Sequence, residues 1–370
     1  MNLVARKRRR LAASTPIEIP PVTTVQVTIP ELDTTIVMGG LVEQMLQFYA
    51  MDSIPEMDMG GGISPETQAA IDVFLAQELT YNWGDDSPDE VVTLADLYDE
   101  DEGWALIEHE YAAPGSYTIT ISGPVALVTD LDAINVPGGA GTKITGFSVV
   151  GDVTVLEAGA NTFAEFPDIS GLTKLKALYL YNTNAWDFIS DGQGNNNLII
   201  LAASRCEIPE IDLSGFPALK IAMLSYNGIS DISIHEQSSI EYYDLTNNAL
   251  TSMDWLDSGK DKIRALILAY NNFASFNADG FTALQTFACD IAPISEFDIT
   301  KTPELVMLSA SGCVFTTVSM DAIINALAAS GEVAPNLAMI MMQAQSTEEE
   351  PTEGAVLALM AARPDLMAMF

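Results

Sequence analysis

The nine residues 219–227, Leu-Lys-Ile-Ala-Met-Leu-Ser-Tyr-Asn, carry the pattern that decides the fold. Apolar residues stand at the first, fourth and sixth places, and an Asn stands at the ninth. The pattern returns as Ile-Glu-Tyr-Tyr-Asp-Leu-Thr-Asn-Asn at 240–248 and as Ile-Arg-Ala-Leu-Ile-Leu-Ala-Tyr-Asn at 263–271. Recurrence at a nearly fixed spacing predicts a repeat architecture, in which neighbouring coils stack and share one core.

The repeat extends in both directions along the chain. Eight copies begin at residues 153, 175, 198, 219, 240, 263, 284 and 305, which are 21 to 23 residues apart. The ninth position is usually Asn or Cys, and we expect these side chains to turn inward as structural residues: Asn161, Cys206, Asn227, Asn248, Asn271 and Cys313. A buried Asn without partners would cost about 1 to 3 kcal/mol, so each amide is expected to bond the backbone of its own turn and of the next coil.

This repeat resembles the leucine-rich repeat family over residues 146–313. The resemblance implies a mainly β solenoid of about eight coils, each with one short strand and a return segment. The return segments at 167–170, 211–214, 232–234 and 297–300 predict short extended pieces, because 21 residues with Pro, Gly and Ser leave little room for a helix.

Two motifs precede the repeats: Trp-Gly-Asp-Asp-Ser at 83–87 and His-Glu-Tyr-Ala-Ala-Pro-Gly-Ser-Tyr-Thr-Ile-Thr-Ile at 109–121. Together they resemble the turn and the hairpin of PKD-like, immunoglobulin-type modules over residues 63–123, although Asp86 stands where that family has a second Gly. The resemblance implies a β-sandwich in which His109 and Tyr111 pack the hairpin. Alternating apolar residues from 71 to 83 predict a strand before the first motif.

The remaining segments complete a five-part organisation. Residues 1–62 hold one candidate strand between Pro21 and Pro30 and are expected to form an anchoring arm that docks on a neighbour. Residues 124–145 are expected to connect the PKD-like module to the solenoid at 146–313. Residues 314–370 predict a small α/β cap, with a helix that begins at Ser319 and ends at Gly331, a strand at 337–342 and a second helix at 354–362. Such a cap keeps the end of a solenoid soluble.

The charge is strongly asymmetric: 51 acids and 15 bases give a net charge of −36. Five bases are consecutive, Arg6, Lys7, Arg8, Arg9 and Arg10, so the 360 residues from Leu11 onward hold 10 bases against 51 acids, or −41. Nucleic-acid binding by this body is excluded, because it requires cations to neutralise phosphates. The basic cluster is either an unstructured terminus or a tether to an acidic neighbour, such as another virion protein or packaged nucleic acid.

No catalytic constellation is found in the sequence, and we expect no enzyme. The two histidines, His109 and His235, lie in different modules, which argues against a His-rich metal site and a Ser-His-Asp triad.

The three cysteines are odd in number and widely spaced, so they are expected to be buried core residues. Acids at 85, 86, 89 and 99–102 are a candidate calcium site, although their spacing fits no EF-hand and a solvated surface is the alternative. No other cofactor is expected, and no apolar run approaches the ~20 residues of a membrane span.

The outward side chains of the repeat strands form the candidate binding surface on the concave face. These positions contain three acids and no base, and contiguous apolar patches mark interaction sites. The alternative is that small residues merely keep a curved sheet compact. The residues predicted to contact a partner, whether another protein, a second copy or a host-surface glycan, are Ile200, Ile221, Met223, Tyr242, Asp244, Ile267 and Met307.

The order of PKD-like hairpin, repeats and final helix resembles repeat proteins that bacteriophages and some bacteria encode for their surfaces. That resemblance implies a non-enzymatic virion protein, displayed on the capsid or tail and anchored through its arm to other virion proteins, and a homo-oligomer is possible. The alternative is a bacterial surface adhesin. No apolar stretch follows the basic cluster, so an export signal is not expected, and this favours the virion.

Overall fold

The computed structural model describes residues 22–30, 35–41, 69, 72–73, 75–99, 104–123, 126–127, 144–150, 153–159, 169–183, 195–256, 258–343 and 349–370. Arg6 to Arg10, Asn161 and the acids at 100–102 lie outside these ranges. The helices are α1 (Leu94–Leu97), α2 (Thr317–Ala329) and α3 (Glu353–Ala362). The strands are β1 (Val22–Ile29), β2 (Thr35–Leu41), β3 (Glu78–Asn82), β4 (Glu90–Thr93), β5 (Tyr98–Asp99), β6 (Trp104–Glu110), β7 (Gly115–Ser122), β8 (Ala126–Leu127), β9 (Ile144–Val150), β10 (Val155–Glu157), β11 (Ala177–Tyr179), β12 (Ile200–Ala202), β13 (Glu210–Leu213), β14 (Ile221–Met223), β15 (Asp231–Ile234), β16 (Tyr242–Asp244), β17 (Ala265–Ile267), β18 (Thr286–Ala288), β19 (Met307–Ser309), β20 (Met339–Met341) and β21 (Met367–Met369).

Short parallel strands, stacked one per coil, form the main sheet. Its eleven described strands run in the order β21-β20-β19-β18-β17-β16-β14-β12-β11-β10-β8. Equivalent positions of successive repeats pair, so that Leu201 lies beside Ala222 and Ala222 beside Tyr243. The mainly β solenoid predicted from the repeat is confirmed.

The core of each coil is built from the first, fourth and sixth repeat positions. In the coil that begins at Leu219, the side chains of Leu219, Ala222 and Leu224 are all fully buried. Burying a Leu side chain stabilises the fold by about 1.5 to 3 kcal/mol. Because the neighbouring coils close each apolar face, that stabilisation depends on stacking.

The Asn side chains at the ninth position connect the backbones of adjacent coils, and we call this series of residues the Asn ladder. Asn248 Nδ2 donates to the carbonyl oxygens of Leu245, 3.0 Å away in its own coil, and of Leu224, 3.0 Å away in the preceding coil. Its Oδ1 accepts from Ile229 N–H at 3.0 Å. Asn227 and Asn271 repeat this arrangement in the neighbouring coils.

The cysteines that stand at the ninth position in place of Asn form fewer and weaker hydrogen bonds. Cys206 Sγ donates to Leu180 O at 2.8 Å, and Cys313 Sγ donates to Cys289 O at 3.0 Å. A thiol offers one weak donor where the amide offers two donors and an acceptor. The Sγ atoms of Cys289 and Cys313 lie 3.8 Å apart, and all three cysteines are buried free thiols.

The return segments are only partly extended. β13 and β15 lie in two of the segments expected to be extended, and they pair in parallel as a second, two-stranded sheet. The segment expected to be extended at 297–300 instead holds a 3-10 turn at Ile299–Lys301. The Asp298 side chain accepts from Thr300 N–H and caps this turn, because a short polar side chain before a turn competes with extended pairing.

Two antiparallel sheets stand before the solenoid, in the strand orders β4-β3-β7-β1-β9 and β2-β6-β5. β1 is central in the first sheet, since it pairs with β7 on one side and β9 on the other. Val25, Val27 and Ile29 of β1 are buried. The boundaries expected at 62 and 145 therefore do not separate β1, β2 and β9 from the module at 63–123, because β1 pairs with β7 and β9, and β2 pairs with β6.

An aromatic stack joins these two sheets. The ring of Trp83 lies parallel to that of His109 with centroids 4.5 Å apart, and the Tyr111 ring lies 4.1 Å from that of Tyr117. Tyr111 Oη donates to Trp83 O at 3.0 Å, and His109 Nε2 lies 2.8 Å from Asp85 Oδ2. His109 and Tyr111 thus pack the hairpin.

The segment at 71–83 was expected to be one strand, and only its second half is extended. Residues 72, 73 and 75 are helical, and Ala76 N–H donates to Asp72 O, the bond of a helical turn. The strand β3 begins at Glu78. Residues 70 to 77 contain Ala, Leu and Gln, which are good helix formers and outweigh the short alternation.

The C-terminal segment forms an α/β unit on the last coils. Helix α2 begins after Thr316 instead of Ser319, because Thr316 and Ser319 form a capping box in which each side chain bonds the other residue's backbone N–H. Arg363 follows α3, and its guanidinium donates to the carbonyl oxygens of Val333, Ala334, Pro335 and Leu337 at 3.0 to 3.3 Å. Within the described ranges, no helix is long and apolar enough to cross a membrane.

Replacing Asn248 by Ala is expected to lower the free energy of unfolding by about 2 kcal/mol or more, because backbone groups in two coils lose their buried partner at once. Urea denaturation followed by circular dichroism measures the loss. Asn272→Ala is the matched control, since Asn272 is exposed and adjacent to the ladder residue Asn271. Equal stability of the two variants would contradict the ladder's role.

Candidate functional site

Two rows of outward side chains run across the main sheet and form the concave face. Strand register fixes both rows, because residues at equivalent positions of neighbouring coils pair directly and lie about 4.8 Å apart. The first row is Val155, Ala177, Ile200, Ile221, Tyr242, Ala265, Thr286 and Met307. The second row is Glu157, Tyr179, Ala202, Met223, Asp244, Ile267, Ala288 and Ser309.

The structure brings the predicted contact residues onto this face, and most remain accessible. The half-buried ones are Ile221, Met223, Tyr242, Asp244, Ile267 and Met307. Ile200 departs from the prediction, since only 5% of it is exposed. It belongs to the covered end of the face, where Val155 and Ala177 are also buried. The accessible part of the concave face therefore begins at the coil of Ile221.

Two acids at the accessible part of the sheet, Asp244 in the second row and Asp290 beyond the end of its strand, accept hydrogen bonds from backbone and hydroxyl groups. Asp244 Oδ1 accepts from Thr246 N–H at 3.0 Å. Asp290 Oδ1 accepts from Ser309 Oγ and from Ser311 N–H, both at 2.8 Å. Beside Asp244, burial and the carboxylate's charge raise the pKa of the Tyr242 phenol, which therefore stays neutral at physiological pH. The face is apolar and mildly acidic.

A second exposed row borders this face, and it was not predicted from the sequence. One residue per coil adopts the left-handed backbone region just before the ninth position: Asn182, Arg205, Tyr226, Asn247, Tyr270 and Ile291. We name this row the ridge. Tyr226, Tyr270 and Ile291 are 45%, 52% and 49% exposed, which is high for large apolar side chains. The Arg205 guanidinium lies 4.3 Å from the centroid of the Tyr226 ring.

The ridge has a sequence signal, because its residues immediately precede the Asn or Cys of the repeat. In this position the chain reverses to bring the ninth residue inward, so the eighth side chain points outward. A left-handed backbone costs an L-residue roughly 1 to 2 kcal/mol. Ile291 carries that cost with a β-branched side chain that is also exposed.

The covered end of the face contains a buried carboxyl group. Glu157 is 1% exposed, and its Oε1 accepts from Gly159 N–H at 2.7 Å. Its Oε2 and the Tyr181 hydroxyl have no hydrogen-bond partner among the described residues. Burial raises the pKa of Glu157 to about 8, and the bond from Gly159 opposes that rise only in part. Gly159 is required here, since a Cβ would lie 2.5 Å from Tyr181 Cε1.

Two of the candidate calcium ligands, Asp85 and Asp89, bond to neighbouring protein side chains, and the acids at 100–102 lie outside the described ranges. Asp85 accepts from Ser87 Oγ at 2.6 Å and contacts His109, and Asp89 Oδ1 accepts from Asn82 Nδ2 at 2.7 Å. Partial burial acts to raise the pKa of Asp85, but the hydrogen bonds from Ser87 and His109 act in the opposite direction. Their combined effect is larger, so the pKa of Asp85 falls from 3.8 to about 2. Among the residues that the structure describes, no group of three or more His, Cys, Asp or Glu side chains is placed to hold a metal ion.

No protein-family model matches the sequence. No curated protein matches it either. Among solved structures, the functional domain of InlJ from Listeria monocytogenes, described as including a cysteine ladder, aligns with a TM-score of 0.43 and 16% identity over 59% of this chain and 53% of that chain. TLR13 in a complex with ssRNA13 aligns with a TM-score of 0.40 and 18% identity over 52% of this chain and 32% of that chain. The leucine-rich repeat domain of APL1B aligns with a TM-score of 0.29 and 15% identity over 59% and 79%. The alignments thus span about half of the InlJ domain and a third of TLR13. The solenoid architecture of this chain rests on its own paired strands and Asn turns.

Glu157→Gln is expected to remove a pH dependence from the stability. The folded pKa of about 8 lies above the ordinary value of 4.5, so at pH values between them the folded state keeps a proton that the unfolded state has lost. The stability contributed by protonated Glu157 is therefore full below about pH 4.5 and is lost as the pH rises towards 8. Urea denaturation at pH 5, 6.5 and 8 measures the effect.

Gln keeps the acceptor for Gly159 N–H and carries no charge, so the variant should exceed the native protein in stability most at pH 8. Glu304→Gln, at an exposed position, is the control and should leave the pH profile unchanged. Parallel pH profiles for the native protein and Glu157→Gln would refute the assignment.

Proposed function

We propose that this protein is a non-enzymatic recognition protein whose solenoid binds another protein with its concave face and ridge. The observation that carries the proposal is the alignment of half-buried apolar side chains beside exposed ones. Met223 and Ile267 lie two coils apart in one row of the sheet. Tyr226 and Tyr270 follow them in the same coils and are about half exposed. An exposed apolar surface of this kind marks an interaction site on a soluble protein.

The surface favours a partner that presents apolar side chains flanked by basic groups. Apolar side chains at the centre of an interface supply most of the binding energy. Asp244 is half-buried at the centre of the face, and the body carries 10 bases against 51 acids. The surrounding negative potential would speed the approach of a basic partner and repel acidic ones. A host-surface glycan is the second candidate, favoured by the exposed tyrosine rings of the ridge.

We further propose that the chain is a bacteriophage virion protein, displayed outward and assembled in the host cytoplasm. The support is the order of the sequence motifs: PKD-like hairpin, repeats, then the terminal α/β unit. In this proposal the five consecutive cations at residues 6 to 10 anchor the chain to an acidic neighbour in the particle. A bacterial surface adhesin is the alternative, and it would be absent from purified particles. Mass spectrometry and immunolabelling of those particles separate the two.

The double variant Met223→Asp, Ile267→Asp is expected to weaken binding to host cells by at least about tenfold, because two charges would have to be desolvated at the centre of the interface. Adsorption of the labelled protein to host cells measures this. Val91→Asp is the matched control, since Val91 is 58% exposed and lies in the antiparallel sheets. If the double variant folds normally and adsorbs as well as the native protein, the concave face is not the binding surface.

Removing residues 1–15 is expected to reduce incorporation into particles, and raising the salt concentration should release the native protein, because salt screens attraction between exposed charges. A second variant, with Gln at residues 6 to 10, keeps the length of the arm and should fail in the same way. Unchanged incorporation of both variants at low and high salt would eliminate the tether.

A further inference from the structure

Two of the three cysteines contact each other across a junction between coils. Cys289 stands at the sixth position of the coil that begins at residue 284, and Cys313 stands at the ninth position of the next coil. The two residues are 24 positions apart in the chain, yet their Sγ atoms lie 3.8 Å apart and both side chains are buried. Cys206 instead contacts Thr183, with 3.7 Å between Sγ and Oγ1. The stacking of the coils therefore brings one pair of thiols together and leaves the third thiol apart from them.

The Asn ladder is interrupted in the two coils that carry this pair. The first of them has Ala292 at its ninth position, and the second has Cys313 there. Ala292 has no polar side-chain group, and the Cys313 thiol supplies one weak donor, to Cys289 O at 3.0 Å. An amide such as that of Asn248 bonds backbone groups of two coils at once. The thiol pair therefore lies at a junction that the ladder holds only weakly.

A covalent bond between the two thiols leaves the Cys289 carbonyl group with a partner. Cys289 O accepts from the Cys313 thiol and also from Ala292 N–H, which lies 3.1 Å away. Oxidation removes the first of these hydrogen bonds and keeps the second. The sulfur atoms of a disulfide are about 2.05 Å apart, so they must approach by roughly 2 Å, a movement within reach of side-chain rotation.

We propose that Cys289 and Cys313 form a disulfide that fastens their two coils together when the folded protein meets a disulfide-bearing oxidant. The thiolate of one cysteine attacks the oxidant and forms a mixed disulfide, and the oxidant's other sulfur leaves as a thiol. The thiolate of the second cysteine then displaces the remaining sulfur of the oxidant. The two cysteines lose two protons and two electrons, and the oxidant takes them up when its disulfide becomes two thiols.

The disulfide strengthens the junction that the ladder leaves weak. It closes the chain between residues 289 and 313 into a loop, which restricts the unfolded chain and so favours the folded one. Each coil of a solenoid is stabilised by its neighbours, so a covalent bond across one junction resists separation of the coils there. Disulfides persist on virion and cell surfaces and are rare in the cytosol. Only the place where the bond forms rests on the proposed surface display, and the bond itself does not.

Oxidation of the folded native protein with diamide tests the proposal. Diamide takes two electrons and two protons from the thiol pair and becomes its hydrazine, so two of the three thiols should escape alkylation when the protein is later denatured without a reductant. Lys301 separates the two cysteines and trypsin does not cleave before Pro364, so an unreduced tryptic digest should contain peptides 265–301 and 302–370 joined to each other. Mass spectrometry detects this species. Three thiols that all remain open to alkylation, or a bond that involves Cys206, overturn the proposal.

Cys206→Ala is the matched control, because Cys206 is also buried at a ninth position but contacts a threonine instead of a cysteine. This variant should form the bond as the native protein does. Cys289→Ala and Cys313→Ala should each keep both of their remaining thiols open to alkylation. An intramolecular disulfide in either of these two variants contradicts the assignment of the pair. If a variant does not fold, the digest of the native protein decides the question.

Urea denaturation of the oxidised and the reduced native protein shows whether the bond fastens the coils. The oxidised protein is expected to unfold at a urea concentration higher by at least about 0.5 M, because its unfolded chain is restricted. Dithiothreitol should return the midpoint to its original value, and Cys313→Ala should have the same midpoint before and after treatment with diamide. An oxidised protein that contains the bond but unfolds at the same or a lower urea concentration overturns the proposal.

Discussion

A coil of about 21 residues cannot close its own core, and the rest of the solenoid follows from that constraint. Its strand has three residues and one buried face, so the apolar side chains of Leu219, Ala222 and Leu224 are covered only when neighbouring coils stack on both sides. Stacking in turn places backbone groups of adjacent turns side by side in the interior. The Asn ladder satisfies those groups, and one amide such as Asn248 serves two coils at once.

The same ladder determines the surface available for recognition. To bring an Asn or Cys inward at the ninth position, the chain must reverse at the eighth, and it does so through a left-handed residue in coil after coil. That residue cannot bury its side chain. Tyr226 and Tyr270 are therefore exposed because Asn227 and Asn271 are internal. The inward Asn ladder and the outward ridge follow from the same backbone geometry. The ridge lies next to the ends of the strands that carry Met223 and Ile267.

The period of the repeat made the solenoid, its core positions and most of the accessible concave face predictable from sequence, because each depends on spacing within one or two coils. The features that were missed depend on distant pairing. Nothing local in 22–29 indicates that β1 lies between β7 and β9, more than 85 residues away in the chain. The burial of Ile200 and Glu157 likewise depends on what covers one end of the sheet, and no strand alternation encodes it. Residues 72, 73 and 75 were misassigned because six alternating apolar residues cannot distinguish a strand from a helical turn followed by a strand.

Charge then separates the surfaces that the repeat leaves exposed. With 51 acids and so few bases, most of the molecule repels its own copies and any acidic partner. On the accessible part of the concave face, the carboxylate of Asp244 accepts a hydrogen bond from a backbone N–H, and the adjoining Asp290 accepts from a hydroxyl and a backbone N–H. An apolar contact can therefore form beside Met223 and Ile267 without bringing unpaired carboxylates together.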